Sequence, residues 1–483
     1  MGKPIRKVLV ANRGEIACRI FRTLDQMGIE GVAIFTEHDR DAIHRFAAFQ
    51  NHPKEREAYE VSSYLAISEI VEIALRCGAD AIHPGYGFLA ENPAFVRACE
   101  ESGIIFIGPD AEAMETLGDK AKARDVAKSL GLPVMEGVGP SSDPIELKNA
   151  ALRLGAPLML KAAAGGGGKG MKRILDLSEI ESQIESSQRE TKGAFGDDRL
   201  IIERYIYPSR HVEVQIFGDG IRAVALGERE CSLQRRHQKV IEESPSTAVD
   251  NSLRERLFES AKKLSESVGY RNAGTCEFLL DSKGNFYFLE VNTRLQVEHP
   301  VTELCTGLDL VKMQIELACG GKLISQNEIR PRGHAIEARL NAEDPYNDFL
   351  PSAGRVLLCE LTPPVGGRID SGIGEFVTTH YDPLLAKFIA HGSNREEARR
   401  RLIESLKSSV ILGVYTNQEF LMELLESDMF ARGETYTTTL DEMEVTRKEI
   451  PPEILVAAAL LYKAPGVKPS RNPWQTLGKW RME

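Results

Sequence analysis

Tryptophan is nearly absent: the chain holds 2 in 483 residues, Trp474 and Trp480, both at its very end. Long apolar runs are missing as well, and no stretch approaches the length of a membrane-spanning helix. None of the 8 cysteines (Cys18, Cys77, Cys99, Cys231, Cys276, Cys305, Cys319 and Cys359) forms a CxxC pair. That speaks against zinc ribbons and disulfide frameworks and for buried thiols in a reducing cytoplasm. Positive charge is not in excess. A net charge of −11 argues against nucleic acid or an anionic membrane as a partner, yet leaves room for local basic sites that hold anionic substrates. No G-x-G-x-x-G follows the first strand, so a dinucleotide is not supported, and the glycine run at 165–168 is not a Walker A loop, because Lys169 precedes Gly170 rather than Ser or Thr. The opening MGKPIRKVLVANRGE enters a strand almost at once and reads as no signal peptide, and no internal repeat is visible.

What is present is an ordinary globular composition, 42% hydrophobic and 27% charged, over a length that suggests about two to four domains. The stretch Gly274–Pro300, GTCEFLLDSKGNFYFLEVNTRLQVEHP, carries the densest chemistry. Thr275–Leu280 and Asn285–Val291 are strand-like, and Asp281-Ser282-Lys283-Gly284 between them is a turn signal. Folded at Lys283-Gly284, the hairpin sets Glu277 opposite Glu290, with Asn292 on the face of Glu290. Opposed carboxylates repel. The pair reads either as two solvated charges on an open sheet face or as ligands of a hard cation, for which carboxylate and amide oxygens are the ligands Mg²⁺ takes. Arg294, Gln296 and Glu298 continue the alternation and line up an anion clamp, an amide and a base behind those ligands.

Earlier in the chain, Lys7–Ala11, Gly31–Phe35, Ala81–His83 and Ile104–Ile107 are short apolar runs separated by helical patterns such as Ile16–Met27. This is the pattern of an open parallel, Rossmann-like sheet with helices on both faces. Gly108-Pro109 closes that region, and Gly118-Asp119-Lys120 opens the next at a helix start. Ala156–Lys161 is a buried-strand pattern ending in lysine, followed by Gly165–Gly168 and a strand at Lys172–Leu175. Four glycines cannot pack a core. They read as a flexible linker or as a phosphate-covering hairpin lid.

FLEVNTRLQVEHPVTE (288–303), VANRGEIA (10–17), HPGYGFLAEN (83–92) and HAIEARLNAEDP (334–345) resemble the biotin carboxylase branch of the ATP-grasp superfamily, and the likeness runs in order from about Ile5 to about Leu440. Ala90 departs from it, standing where the family usually has Ser, and 47–60, AAFQNHPKEREAYE, lacks the expected acidic-alanine strand pattern. The resemblance implies an α/β chain with an N-terminal domain at 1–118, an ATP-grasp domain at 119–332 with a mobile lid at about 135–204, an α+β C-terminal domain at 333–446, and a tail or connector at 447–483. It implies that Lys120, Lys161, Gly167, Gly168, His211, Gln234, His237, Glu277 and Glu290 address ATP. The adenine hinge falls at Glu203-Arg204-Tyr205-Ile206. Glu277, Glu290 and Asn292 would hold Mg²⁺ or Mn²⁺, two ions in the family. Lys239, Arg294, Gln296 and Val297 would hold bicarbonate, Glu298 would be its base, and Arg339 would stabilise ionised biotin.

The implied reaction is ATP-dependent carboxylation of biotin through carboxyphosphate, in the cytoplasm, with biotin on a separate carrier protein or domain, a carboxyltransferase subunit as partner, and a homodimer as the assembly. Two other readings stay in view, an ATP-grasp ligase that makes an acyl phosphate and a nucleotide-binding scaffold without catalysis. Arg294, Gln296, Glu298 and HAIEARLNAEDP disfavour the first; Glu277, Glu290, Lys239 and Arg294 together disfavour the second. Two features are decoys. Val311-Lys312-Met313 resembles part of a biotin-acceptor motif but lies in a helical pattern, Leu308–Ala318, and Cys231 reads as a buried structural thiol. With no A-M-K-M-type hairpin, this polypeptide is not expected to carry biotin itself. Its tail, with a helix expected at Glu453–Lys463, reads as a connector towards further domains or as an end folded on the surface. If Gly165–Gly168 is a phosphate lid, replacing Gly167 and Gly168 with Val raises the KM for ATP in steady-state assays, because β-branched residues stiffen the backbone; a linker would leave it unchanged.

Overall fold

The computed structural model describes residues 4–47, 54–163, 171–236, 238–446, 452–454 and 456. Met1–Met443 forms one compact unit and Glu444–Glu483 another. In the second, 452–454 and 456 are helical, and Trp474 and Trp480 lie outside the described residues. Among the described residues no helix is long and apolar enough to cross a membrane.

The N-terminal region is a five-stranded sheet in the order Ala58–Glu60, Glu30–Phe35, Lys7–Val10, Ala81–His83, Ile105–Phe106, with every neighbouring pair parallel. Its central strand is apolar from Val8 onwards because both faces are covered. Val8 and Val10 pack with Ile16, Ile20 and Leu24 of the helix Gly14–Met27. Leu9 and Ala11 pack on the other face with Ile70, Ile73 and Phe95, from the helices Ile67–Cys77 and Pro93–Glu101. The two sequence motifs of this region meet at Asn12, whose amide donates to the carbonyls of Pro84 at 2.7 Å and Tyr86 at 2.8 Å. Gly85 is needed there: its φ is +64°, and a Cβ would fall 3.0 Å from the Asn12 side chain. Of the segment 47–60, whose pattern departs from the family, Ala47 with Phe46 pairs with Lys54–Glu55 in a short ribbon ahead of the edge strand Ala58–Glu60; residues 48–53 lie outside the described residues. Ala90 is buried.

A four-stranded sheet follows, ordered Met171–Ile174, Leu158–Ala162, Leu200–Arg204, Gly137–Ser141. Leu158, Leu160, Leu200 and Ile202 pack against Leu147 and Ala151 of the helix Pro144–Leu154 and Ile184 of the helix Ile180–Phe195. Met171 pairs with Lys161 in an antiparallel register, so the glycine run sits between two hairpin strands; Gly167 and Gly168 themselves lie outside the described residues.

The largest sheet has eight strands in the order Phe286–Asn292, Arg271–Asp281, Ser209–Asp219, Ala223–Arg235, Gln238–Ser244, His334–Asn341, Leu384–Gly392, Arg368–Ser371, all antiparallel. The strands expected in a separate C-terminal domain therefore extend the ATP-grasp sheet, because His334–Asn341 pairs directly with Gln238–Ser244. The period of two divides the sheet's faces sharply. Val212, Val214 and Ile216 join Cys276, Phe278 and Leu280 against Leu253, Leu257 and Leu264 of the helix Asn251–Ser267. The alternate residues, His211, Glu213, Gln215 and Glu277, face the other way and are buried too. Three acidic residues of the two strands that follow, Glu230, Glu242 and Glu243, are buried in the interior of the sheet as well. The Leu350–Gly354 turn is drawn out into two short ribbons, Leu350–Pro351 with Glu343–Asp344 and Gly354–Arg355 with Phe376–Val377. Leu257 is fully buried in the apolar layer under the sheet. Leu257→Ala should cost about 2–5 kcal/mol in urea denaturation while leaving activity per folded molecule intact.

Candidate active site

The polar face of the eight-stranded sheet floors a cavity of about 740 Å³. Lys161 and Glu203 of the four-stranded sheet, Lys120 and Arg124 of the helix Lys120–Ser129, and Tyr86 of the N-terminal region complete its walls. Of the residues singled out from sequence, His211, Gln234, Lys239, Glu277, Glu290 and Asn292 line it, and so do Arg294, Gln296, Val297, Glu298 and Arg339.

Glu277 and Glu290 are direct cross-strand partners through an irregularity in the ladder: the pairs nearer the turn, Leu280 with Phe286 and Phe278 with Phe288, would set Glu277 against Leu289, and a register shift between Glu277 and Phe278 brings Glu290 opposite instead. Their repulsion is answered by lysines from elsewhere: Lys239 lies 2.9 Å from Glu277 and Lys120 lies 2.9 Å from Glu290. Glu277 also accepts from Asn292 and Gln296, each at 2.8 Å, and stands 2.9 Å from His211. Burial opposes its charge, but Lys239 and His211 outweigh that and hold its carboxyl well below the usual range. Glu290 keeps 27% of its side chain exposed and opens onto the cavity. Two carboxylates and an amide, all oxygen donors on one wall, fit a hard divalent cation.

Deeper in, one ammonium meets three carboxylates. Lys239 donates to Glu213 at 2.6 Å, Glu277 at 2.9 Å and Glu298 at 2.6 Å. Desolvation disfavours its charge, yet the three carboxylates push its pKa well above the ordinary lysine value. Glu298 continues the chain to Arg339 at 2.9 Å, and Arg339 bonds Glu242 at 2.5 Å. Glu298 is buried, but Lys239 and Arg339 keep it ionised, with its pKa below the usual range. Burial pushes Glu242 up to about 7 against the pull of Arg339.

The alternation expected through Arg294, Gln296 and Glu298 is not a strand. The edge strand ends at Asn292, and Thr293 donates its N–H to Glu91 at 3.1 Å instead of to a ladder. Arg294 pairs with the same Glu91 at 2.9 Å, and Glu298 sits at the N-terminus of the helix His299–Thr306. A loop-and-helix turn, rather than a strand period, brings the three to the cavity.

On the wall formed by the four-stranded sheet, Glu203 is held in ion pairs: Lys161 lies 2.5 Å away and Arg124 also bonds it. Burial works against its charge, but those cations hold its pKa down. Arg204, Tyr205 and Ile206 do not line the cavity; the N–H groups of Arg204 and Tyr205 bond the carbonyls of Glu136 and Pro157 at 2.9 and 3.0 Å. His211 rests 2.8 Å from Gln234. His237 lies outside the described residues. Both decoys read as expected: Lys312 is a half-exposed lysine in the helix Leu310–Ala318, 3.7 Å from Glu316, and Cys231 is buried, its thiol pushed well up by desolvation.

Three family models tile the chain: "Biotin carboxylase, N-terminal domain" at 4–114, "Carbamoyl-phosphate synthase L chain, ATP binding domain" at 119–326, and "Biotin carboxylase C-terminal domain" at 337–442. Biotin carboxylase 1 of Bacillus subtilis (strain 168) is 43% identical over 450 residues, covering 91% of this chain and 99% of that one. The chain belongs to the biotin carboxylase family. The mitochondrial methylcrotonoyl-CoA carboxylase subunit alpha of Rattus norvegicus is 46% identical over 90% of this chain, and this chain spans 62% of its length. Among solved structures, the biotin carboxylase domain dimer of Hydrogenobacter thermophilus 2-oxoglutarate carboxylase, in complex with MgADP, ADP and bicarbonate, superposes with a TM-score of 0.85 at 42% identity. That match covers 91% of this chain and 98% of the other.

Within this biotin carboxylase fold the residues missed from sequence are the ones that hold the others. Arg229, fully buried, donates to Glu213 at 2.5 Å, Gln215 and Gln296 at 2.7 Å, Thr302 at 3.0 Å and Thr275 at 3.1 Å. Its arginine-in-strand position, Glu-Arg-Glu at 228–230, was the only local signal, and it looks like surface charge. Arg229→Met takes from Glu213 one of its two cationic donors and from the Gln296 oxygen its donor, both in a buried site, and should cost about 3–5 kcal/mol. Adding Glu213→Gln should recover part of the loss, a coupling that a double-mutant cycle measures.

Proposed function

We propose that the chain carries out ATP-dependent carboxylation of biotin with bicarbonate, the first half-reaction of a biotin-dependent acyl-CoA or pyruvate carboxylase. The continuous ion chain from Lys239 through Glu298 to Arg339, running across one cavity floor, carries the reading. It sets a cation for a small anion, a carboxylate that can take its proton, and a guanidinium for an oxyanion in a row.

In this reading Lys120 and Lys161, with the glycine run, hold the phosphates of ATP. Glu277, Glu290 and Asn292 would hold Mg²⁺, which when bound neutralises charge on the phosphoryl group in transfer. Lys239, Arg294, Gln296 and Val297 orient bicarbonate, and Glu298 takes its proton as its oxygen attacks the γ-phosphorus and ADP leaves. Glu298 is a weak base while it is held by two cations. An incoming bicarbonate shares the charge of Lys239 and raises the basicity of Glu298 as it docks. Carboxyphosphate then splits to CO₂ and phosphate, the released phosphate takes the ureido N–H proton of biotin, and the nitrogen attacks CO₂ while Arg339 steadies the ureido oxygen. Biotin arrives on a carrier protein or domain, the carboxyl group leaves to a carboxyltransferase, and a homodimer is the assembly; the relatives named above support these partners.

Measurement of ADP release separates the alternatives. This reading expects hydrolysis that needs bicarbonate and is stimulated by free biotin; an acyl-phosphate ligase would ignore both, and a scaffold would hydrolyse nothing. Glu290→Gln should abolish ATP cleavage, and Glu298→Gln should keep MgATP binding while losing biotin carboxylation. Arg339→Ser should depress biotin carboxylation far more than bicarbonate-dependent hydrolysis, whereas equal losses would give Arg339 a structural role.

A further inference from the structure

Lys387 is fully buried on the strand Leu384–Gly392 and does not line the cavity. Its strand neighbours are Arg339 on one side and Asp370 on the other. A buried ammonium is tolerated only with partners. Those of Lys387 come from three parts of the chain. The Val297 carbonyl accepts from it at 2.8 Å. Glu15, at the start of the helix Gly14–Met27, lies at 3.2 Å, and Asp370 lies at 4.0 Å. Tyr86, which lines the cavity, turns its ring towards it at 5.9 Å.

The partners are not equivalent. Asp370 has Arg22 at 2.8 Å and Arg368 at 3.1 Å to hold it. Among the described residues neither carboxylate oxygen of Glu15 has a hydrogen-bond partner of good geometry, and burial pushes its carboxyl up to about 7, with Lys387 the largest opposing influence. Val297 lies between Gln296 and Glu298. Fixing its carbonyl therefore fixes the plane of the peptide that joins it to Glu298, where the loop turns into the helix His299–Thr306.

We propose that Lys387 is a positioning residue for the anion pocket. Its ammonium holds the Val297–Glu298 peptide in place, and Glu15 and Asp370 hold the ammonium. The VANRGEIA motif of the N-terminal region then has a task at the site it does not touch: Glu15 anchors the lysine that sets the loop. This rests on the reading of Gln296–Glu298 as the bicarbonate pocket.

The pair Lys387→Met with Glu15→Gln removes one charge of each sign and leaves Asp370 its two arginines. The KM for bicarbonate should rise about tenfold or more, the loss expected for a buried charge-assisted hydrogen bond. The KM for ATP should stay within about twofold, a split that general destabilisation would not produce. Glu15→Gln alone weakens the anchor but keeps the donor and leaves Asp370 beside it, so the bicarbonate KM should rise by clearly less than in the double variant; if it matches the double variant, the donation to Val297 adds nothing and the proposal falls. An unchanged bicarbonate KM in the folded double variant also overturns it. Should the double variant not fold, Lys387→Arg carries the test. Its guanidinium keeps the charge but moves the donors away from the ammonium position, so the bicarbonate KM should rise, and an unchanged value overturns the proposal. A wild-type protein without bicarbonate-dependent hydrolysis would instead remove the functional reading on which the proposal stands.

Discussion

One buried ammonium surrounded by three carboxylates governs this molecule. Lys239 reaches Glu213, Glu277 and Glu298 within 2.6–2.9 Å, and none of those carboxylates is more than 6% exposed. Such a cluster carries excess negative charge and would be costly alone, since buried ions repay their desolvation only when every one is paired and bonded. Arg229 and Arg339 supply the balance from either side, one anchoring Glu213 and the other Glu298. The rest of the architecture follows from keeping these ions on one face. The strands Ser209–Asp219 and Arg271–Asp281 place Val212, Val214, Cys276 and Phe278 in the apolar layer, so that Glu213 and Glu277, one residue away, reach the opposite face.

That alternation explains what was legible in the sequence. Glu277 and Glu290 could be placed on one hairpin in advance because a local signal, Asp281–Gly284, marks the turn, but the register shift between Glu277 and Phe278 that sets them face to face has no such signal. The parallel N-terminal sheet was legible for a similar reason: doubly covered strands are short apolar runs with helical patterns between them. Arg229, Glu213 and Glu91 were not, since their partners lie on other strands and loops far along the chain, and charge in a strand looks the same whether it is solvated or buried. The Arg294–Glu298 alternation misled because a period of two over three residues cannot distinguish a strand from a turn. The deciding fact, capture of the Thr293 N–H by Glu91, depends on a residue 202 positions away. The boundary near 332 was drawn where the sequence character changes, yet the sheet ladder runs through it.

The cations at the two ends of the cavity are held differently, and the difference has a physical consequence. Arginines hold the inner end, where Arg229 and Arg339 spend planar forks on several acceptors at once. At the opposite end Lys120 rests on Glu290, and Lys161 shares Glu203 with Arg124. The energies of these pairs are not alike. Lys120 and Glu290 are 45% and 27% exposed, and a pair so wet is worth about 0–1 kcal/mol. A phosphate or a divalent cation can divide that pair at little cost, each taking the partner of opposite sign. Lys239 is 12% exposed and held by three carboxylates, so it cannot leave without stranding buried charge. Exchange of partners therefore belongs to the outer lysine and constancy to the inner one. An anion bound at Lys239 must come to the lysine and fit between fixed groups, which makes the geometry of the Gln296–Glu298 loop, rather than the strength of any single pair, the quantity that this end of the cavity has to control.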